Sequence, residues 1–131
     1  SKMLDAQVTQ SIIGEGSILN ACRIQHCVLG VRTRIEEEAV LEDSLVMGAD
    51  LFESEQERRV LLERGQVPLG VGANATIRRS ILDKNVRIGT NVVLINKDRL
   101  EHADLPEFGI AIRNGIVVVP KNTSIPAGTI I

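Results

Sequence analysis

The chain has 131 residues, a formal charge of −2 and only two aromatic residues, Phe52 and Phe108. This length fits one domain with a substantial core, and a balanced charge with almost no aromatic side chains disfavours nucleic-acid binding. No apolar stretch is long enough to cross a membrane, and no basic-then-apolar leader predicts export. Cys22 and Cys27 match neither a metal-binding pair nor a disulfide framework, so we expect free thiols in a reducing compartment.

Aliphatic residues recur at alternating spacings of five and six near the start of the chain. They are Ile13, Ile18, Ile24, Leu29, Ile35, Val40 and Val46. Four residues after each of them comes a residue that is usually small or β-branched: Ser17, Cys22, Val28, Thr33, Ala39, Ser44 and Asp50. The ladder resumes at Val71, Ile77, Leu82, Ile88 and Leu94, with Ala75, Ile81, Val86 and Val92 as the following residues, and closes at Val119, Ile125 and Ile131.

This hexapeptide pattern is typical of a left-handed parallel β-helix. Each unit is one short strand plus a bend, the large aliphatic side chain points inward, and three units form one coil of a triangular prism. Stacked coils bury one aliphatic column that no single coil could bury alone. A β-sandwich would instead show strict alternation with turns about every eight to twelve residues. The sequence therefore predicts a single all-β domain over residues 1–131.

Residues 51–70 interrupt the ladder and predict a helical excursion. The segment 55–64 consists mainly of good helix formers. Asp50 followed by Glu53 predicts a capping box at its start, and Gly65 predicts its end. A binding surface, a subunit contact and a simple cover over one prism face are the alternatives for its role.

Residues 96–115 interrupt the ladder a second time. They contain Pro106 and Gly109, and they predict a loop excursion that leaves the stack and rejoins it. His102 lies in this segment, where the general base of a hexapeptide acyltransferase could sit. The frequent five-residue steps are atypical of such enzymes, so we favour a solvated histidine.

Other catalytic chemistry finds little support in the sequence. The chain has only two histidines, which excludes a three-histidine zinc site, and His26 is predicted on the surface. The glycines of segments 14–16 and 70–72 begin a phosphate-loop spacing without completing it, and we expect them to relax tight corners instead. No catalytic residue and no metal ligand is predicted.

Two lysines are predicted to lie side by side. Lys84 and Lys121 are each the third residue of a repeat unit, and these units stack one coil apart if the second excursion adds no net face. Neighbouring strands are about 4.8 Å apart, and two ammonium groups so close repel unless an anion or a carboxylate lies between them. Arg87 ends the same unit as Lys84, and Asp83 could orient one lysine. These four residues form the candidate anion site, with an ordinary solvated lysine pair as the alternative.

Several segments together resemble the C-terminal domain of ADP-glucose pyrophosphorylase (glucose-1-phosphate adenylyltransferase) of the cyanobacterial and plant type. They are SKMLDA, IGEGS, LEDSLVMGAD, SILDKNVRIGTNV and GIVVVPKNTSIPAGTII. The resemblance implies a regulatory and assembly domain that follows a catalytic domain in a homotetramer or heterotetramer. It also implies that the whole enzyme uses Mg²⁺ to convert ATP and glucose-1-phosphate to ADP-glucose and pyrophosphate. Glycogen synthesis in a bacterial cytoplasm or starch synthesis in a plastid stroma is the implied setting.

The resemblance also implies effectors for the candidate anion site. The family's activator is 3-phosphoglycerate and its inhibitor is phosphate, and its activator-linked lysines fall on Lys84 and Lys121. An arginine of the same response falls on Arg87, while Pro120 stands where many relatives have an aliphatic residue. Because the family's catalytic segments and further anion-binding arginines precede this domain, we expect the chain alone to bind no cofactor and to be inactive. A free-standing acyltransferase and a purely structural oligomerisation prism remain the alternatives.

Overall fold

Three parallel sheets form the sides of a prism in the computed structural model, which describes residues 1–131. Face A contains β1 (Lys2–Leu4), β4 (Ile18–Asn20), β7 (Arg34–Ile35), β10 (Gly70–Val71), β13 (Arg87–Ile88) and β18 (Ser124–Ile125). Face B contains β2 (Gln7–Thr9), β5 (Arg23–Gln25), β8 (Val40–Glu42), β11 (Thr76–Arg78) and β14 (Val93–Leu94). Face C contains β3 (Ile12–Ile13), β6 (Val28–Leu29), β9 (Leu45–Val46), β12 (Ser80–Leu82) and β17 (Ile116–Val119). Successive strands move from face to face, so the chain winds as a parallel β-helix.

A column of aliphatic side chains fills the prism. Its large inward members on the three faces are Leu19, Ile24, Leu29, Ile35, Leu41, Val46, Val71, Ile77, Leu82, Ile88, Leu94, Val119 and Ile125. A smaller buried residue stands two positions before most of them, as with Ser17, Cys22, Cys27, Thr33, Ala39, Ser44, Ala75, Ser80, Val86 and Val92. Side chains two residues apart in an extended chain share a face, so most coils contribute one large and one small residue to the core on each face. The first coil is the exception, because β1, β2 and β3 have no buried residue.

The predicted ladder is one residue out of phase in places. Leu19 and Leu41 are buried and point inward, where Ile18 and Val40 were predicted. Among the smaller residues, the buried ones are Cys27, Ala49 and Ser80 rather than Val28, Asp50 and Ile81. An offset of one residue moves a side chain to the opposite face of a strand. The steps vary between five and six, so a pair of adjacent aliphatic residues leaves the phase undetermined.

The glycines of segment 70–72 are required for two different reasons. Gly70 adopts a left-handed φ of 98°, although it is the first residue of β10 rather than a corner residue. Gly72 does not. Glycine is required there because the backbones of two coils come too close for a side chain: a Cβ would lie 2.7 Å from the carbonyl carbon of Gly89 in the next coil. Non-glycine residues take left-handed φ at many corners, and asparagine, which tolerates this conformation, is frequent among them: Asn74, Asn85, Asn91 and Asn122.

The helical excursion is confirmed, but its capping box is not the predicted one. Helix α1 spans Glu55–Glu63. Ser54 is its N-cap and accepts a hydrogen bond from Glu57 N at 3.1 Å, while the Glu57 carboxylate accepts one from Ser54 N at 3.0 Å. The predicted pair, Asp50 and Glu53, is engaged elsewhere, as described below. Helix α1 is neither long nor apolar enough to span a bilayer.

The second excursion is a hairpin rather than the predicted loop. Strands β15 (His102–Leu105) and β16 (Ile110–Arg113) pair antiparallel, and β16 pairs antiparallel with β17, so face C extends beyond the last coil. The side chains of Ile110 and Ile112 are buried in the core. Their spacing of two residues is the strand signal that the turn residues Pro106 and Gly109 obscured.

Both cysteines are free and buried, which makes their reactivity a probe of the fold. Burial raises the pKa of the Cys22 thiol from 9.0 to about 11, and it also raises the pKa of Cys27. The thiolate is the reactive form, so at pH 8 the thiolate fraction of Cys22 is roughly a hundredfold below that of an ordinary thiol. We expect iodoacetamide to alkylate Cys22 at least about a hundredfold more slowly in the native chain than in guanidinium, with glutathione as the rate reference. Equal rates in the two conditions would contradict the buried position.

Candidate functional site

Lys84 and Lys121 lie on adjacent coils at the corner between faces C and A. Strands β12 and β17 pair with Leu82 opposite Val119, and Asn122 N donates a hydrogen bond to the Lys84 carbonyl oxygen at 3.0 Å. The two lysines therefore occupy equivalent positions one coil apart, which confirms the predicted register. Lys121 is exposed and takes part in none of the ion pairs of the chain.

A carboxylate that the sequence did not reveal stands beside Lys84. Asp50 Oδ1 accepts a hydrogen bond from Lys84 Nζ at 3.2 Å, and Asp50 Oδ2 accepts one from Asn85 Nδ2 at 3.0 Å. In return, Asp50 N donates to Asn85 Oδ1 at 2.9 Å. Hydrogen bonds from Asn85 and Lys84 lower the pKa of Asp50, and the charge of Lys121 contributes in the same direction. The positive charges of Lys84 and Lys121 thus both stabilise the ionised form of the Asp50 carboxylate.

The structure places the other two predicted site residues differently. Asp83 Oδ1 accepts a hydrogen bond from the backbone N of Lys84 at 2.6 Å, so Asp83 holds the turn rather than orienting a lysine ammonium group. The guanidinium of Arg87 contacts the excursion, where its Nη1 lies 2.8 Å from Glu53 Oε2 and 2.9 Å from the Val67 carbonyl oxygen. Arg87 therefore anchors the excursion on face A, because its guanidinium binds Glu53 and the Val67 carbonyl oxygen rather than facing the two lysines.

A buried ion-pair network attaches the excursion to the prism. Besides Arg87, Glu53 binds the backbone N of Leu69 at 2.7 Å and lies 3.5 Å from Arg58 Nη1. Arg58, the only buried residue of α1, also contacts Glu36 Oε2 and the Leu69 carbonyl oxygen, both at 2.9 Å. Burial is the main cause that lowers the pKa of Arg58, and Glu36 and Glu53 oppose it. The helix is therefore fixed to face A by charged groups rather than by an apolar stripe.

A cleft of about 510 Å³ lies between α1 and the prism. Its charged lining is largely paired within the chain, because Arg34 contacts both Glu36 and Glu55. Neither Lys84 nor Lys121 lines this cleft. The candidate anion site is thus an open corner whose donors are side chains of successive coils.

The histidines lie outside this corner. His102 is exposed on β15 opposite Arg113, and His26 is exposed with its Nδ1 2.8 Å from Asp43 Oδ1. His26 is on the surface, as predicted, and His102 is exposed on a strand rather than in a loop. No three acidic, histidine or cysteine side chains come together in a way that could hold a metal ion.

Three stacked faces, one inward aliphatic residue per strand and excursions at the corners define a hexapeptide-type parallel β-helix. The family model of the GLGC left-handed parallel β-helix domain matches residues 1–130. The chain belongs to this family, which is the C-terminal domain of ADP-glucose pyrophosphorylase, a nucleotidyltransferase of glycogen and starch synthesis. The predicted fold class and the resemblance to this family are both confirmed.

Proposed function

We propose that this chain is the regulatory and subunit-assembly domain of a glucose-1-phosphate adenylyltransferase. In this proposal, Lys84 and Lys121 bind the phosphate group of the activator 3-phosphoglycerate and, in competition with it, inorganic phosphate. The observation that carries the proposal is the pair of lysines at equivalent positions of successive coils, with one carboxylate at Lys84 and no ion-pair partner at Lys121. Because the chain belongs to the ADP-glucose pyrophosphorylase family, the enzyme that such a site would regulate is glucose-1-phosphate adenylyltransferase.

The chemistry of the pair suits a dianionic phosphate group. Each lysine offers a flexible point charge, and charge-assisted hydrogen bonds from both would stabilise a phosphate and relieve their mutual repulsion. Lysine recognises charge with little geometric selectivity, since it lacks the planar fork of arginine. The corner should therefore accept phosphate and sulfate alike, and groups elsewhere in the enzyme would supply the preference for 3-phosphoglycerate.

Adenylyl transfer from ATP to glucose-1-phosphate, with its Mg²⁺, is assigned in this proposal to the catalytic domain and not to the prism. An anion at the corner would activate that domain only by binding its active arrangement more tightly than its inactive one. Assembly into a homotetramer or heterotetramer is supported by an exposed aliphatic stripe on face C, where Ile12, Val28 and Leu45 align on adjacent strands.

Lys84→Ala and Lys121→Ala should each raise the 3-phosphoglycerate concentration needed for half-activation of the full enzyme. Typical coupling of about 1–3 kcal/mol corresponds to a rise of roughly 5- to 150-fold. The double variant should be less than additive, because both lysines would serve one phosphate group. The measurement is an activator titration of ADP-glucose synthesis by each variant.

Lys97→Ala is the matched control for this titration. Lys97 is another exposed lysine with a nearby carboxylate, Asp98 at 3.3 Å, away from the corner. Its half-activation should equal that of the unaltered enzyme. If both corner variants behaved like this control, Lys84 and Lys121 would be ordinary surface charges.

A further inference from the structure

Asp50 occupies the place beside Lys84 that an incoming anion would take. Its two carboxylate oxygens accept from Lys84 Nζ and Asn85 Nδ2, the donors that a phosphate oxygen would meet at this corner. The side chains of Asp50 and Lys84 are 46% and 44% exposed, so the contact is open to solvent. An exposed ion pair of this kind contributes little to stability and can exchange with a dissolved anion.

Asp50 is also the first residue after the prism corner from which the helical excursion leaves. The intervening Leu51 and Phe52 are 61% and 56% exposed, so core burial does not fix them. Three residues after Asp50, Glu53 is held by Arg87 and by the backbone N of Leu69. The segment 50–53 is therefore a short strap whose two ends are held by carboxylates, one at the lysine corner and one at the buried network.

We propose that Asp50 is an internal competitor for the anion site, which a phosphate group displaces from Lys84, releasing the first end of the 50–53 strap. This inference rests on the proposed function of the lysine pair. A dianion gains more from two lysines than the single charge of Asp50 does. The anion and the carboxylate repel each other at close range, so they cannot share Lys84. Occupancy of the corner is thereby transmitted to the chain that leads into helix α1.

A competitor weakens apparent binding, because the apparent dissociation constant equals the intrinsic one divided by the fraction of molecules in which the site is free. Asp50→Asn removes the charge and keeps the shape and a hydrogen-bonding group for Asn85. For an exposed pair of ordinary strength, we expect inorganic phosphate to bind this variant about two- to fivefold more tightly.

The test is a titration of the 131-residue chain with inorganic phosphate, followed by backbone amide NMR at constant ionic strength. The Lys84 and Asn122 amides report the dissociation constant, and the Leu51 and Phe52 amides report the strap. Asp98→Asn is the matched control, because it makes the same change in net charge at another exposed lysine–aspartate pair. The amide spectrum itself shows whether each variant is folded.

Tighter phosphate binding by Asp50→Asn than by the wild type and Asp98→Asn supports the inference. So do phosphate-induced shifts at Leu51 and Phe52 that are large in the wild type and small in Asp50→Asn. If Asp50→Asn binds phosphate no more tightly than the wild type, or if the Lys84 amide shifts while the strap does not, the inference fails and the anion site stands. If neither protein binds phosphate, both the inference and the proposed anion site fail.

Discussion

Replacing Ile35 with aspartate should lower the free energy of unfolding by at least about 4 kcal/mol. Ile35 is completely buried on face A, between Leu19 and Val71 of the neighbouring coils. The column around it is aliphatic and offers a carboxylate no partner, so the charge would be buried unpaired or the adjoining coils would open. The isoleucine contacts are lost as well. Urea unfolding followed by circular dichroism measures the change.

Ile130→Asp provides the comparison for the same substitution on an outward position. Ile130 is 58% exposed, pairs with Val93 of face B and stands directly before the buried residue Ile131. An aspartate there stays in water, and the expected cost is below about 1 kcal/mol, from weaker strand propensity and lost partial burial. Similar losses from both variants would show that the two positions do not differ as the structure requires.

Arg58→Ala should destabilise the chain by about 3 kcal/mol, the lower end of what breaking a buried ion pair costs. The change leaves Glu36 and Glu53 each short of one cationic partner and the Leu69 carbonyl without its donor. Both carboxylates keep another arginine, which is why the lower end is expected. Chemical denaturation gives the global change, and hydrogen exchange of the α1 amides shows whether the excursion loosens first.

Arg59→Ala is the control, since Arg59 is the next residue of the same helix and is exposed. Its removal should change stability by no more than about 0.5 kcal/mol and leave α1 protected from exchange. Unaltered protection of α1 in Arg58→Ala would contradict the assignment of Arg58 as the anchor of the excursion.

The fold could be predicted because its core is periodic along the chain. Most coils bury one large aliphatic residue on each face, so the buried column appears in the sequence as a ladder. Counting its units places Lys84 and Lys121 on adjacent coils. The count cannot distinguish neighbouring aliphatic residues, however: it predicts that Ile18 points inward, whereas Leu19 is the buried residue. The hairpin was missed for a related reason, because a short strand pair lies outside the repeat and only the spacing of Ile110 and Ile112 marks it.

The remaining features of the site depend on contacts that no local pattern encodes. Asp50 and Glu53 have capping-box spacing, but tertiary partners determine what they bind: Lys84 holds the first, and Arg87 is among the partners of the second. Arg87 follows Lys84 closely in sequence, yet it lies on the next face and its guanidinium contacts the excursion. A repeat count gives the position of a backbone unit within the prism. It does not give the direction of a long side chain beside a segment that has left the repeat.

The excursions also lengthen some of the loops that connect paired strands of the β-helix, and loop length affects how the chain folds. Paired strands in the first coils are only 16 or 17 residues apart, whereas the pairings of Ile35 with Val71 and of Leu82 with Val119 span 36 and 37 residues. Doubling a loop adds roughly 0.6 kcal/mol of closure entropy. The pairings between the two excursions are equally local, at 17 residues, but the coils before the first excursion contain more of them. These first coils are therefore the expected nucleus, from which a solenoid can grow by adding neighbours. Because that extra cost is small, the stack can carry long insertions at its corners while its aliphatic column stays continuous.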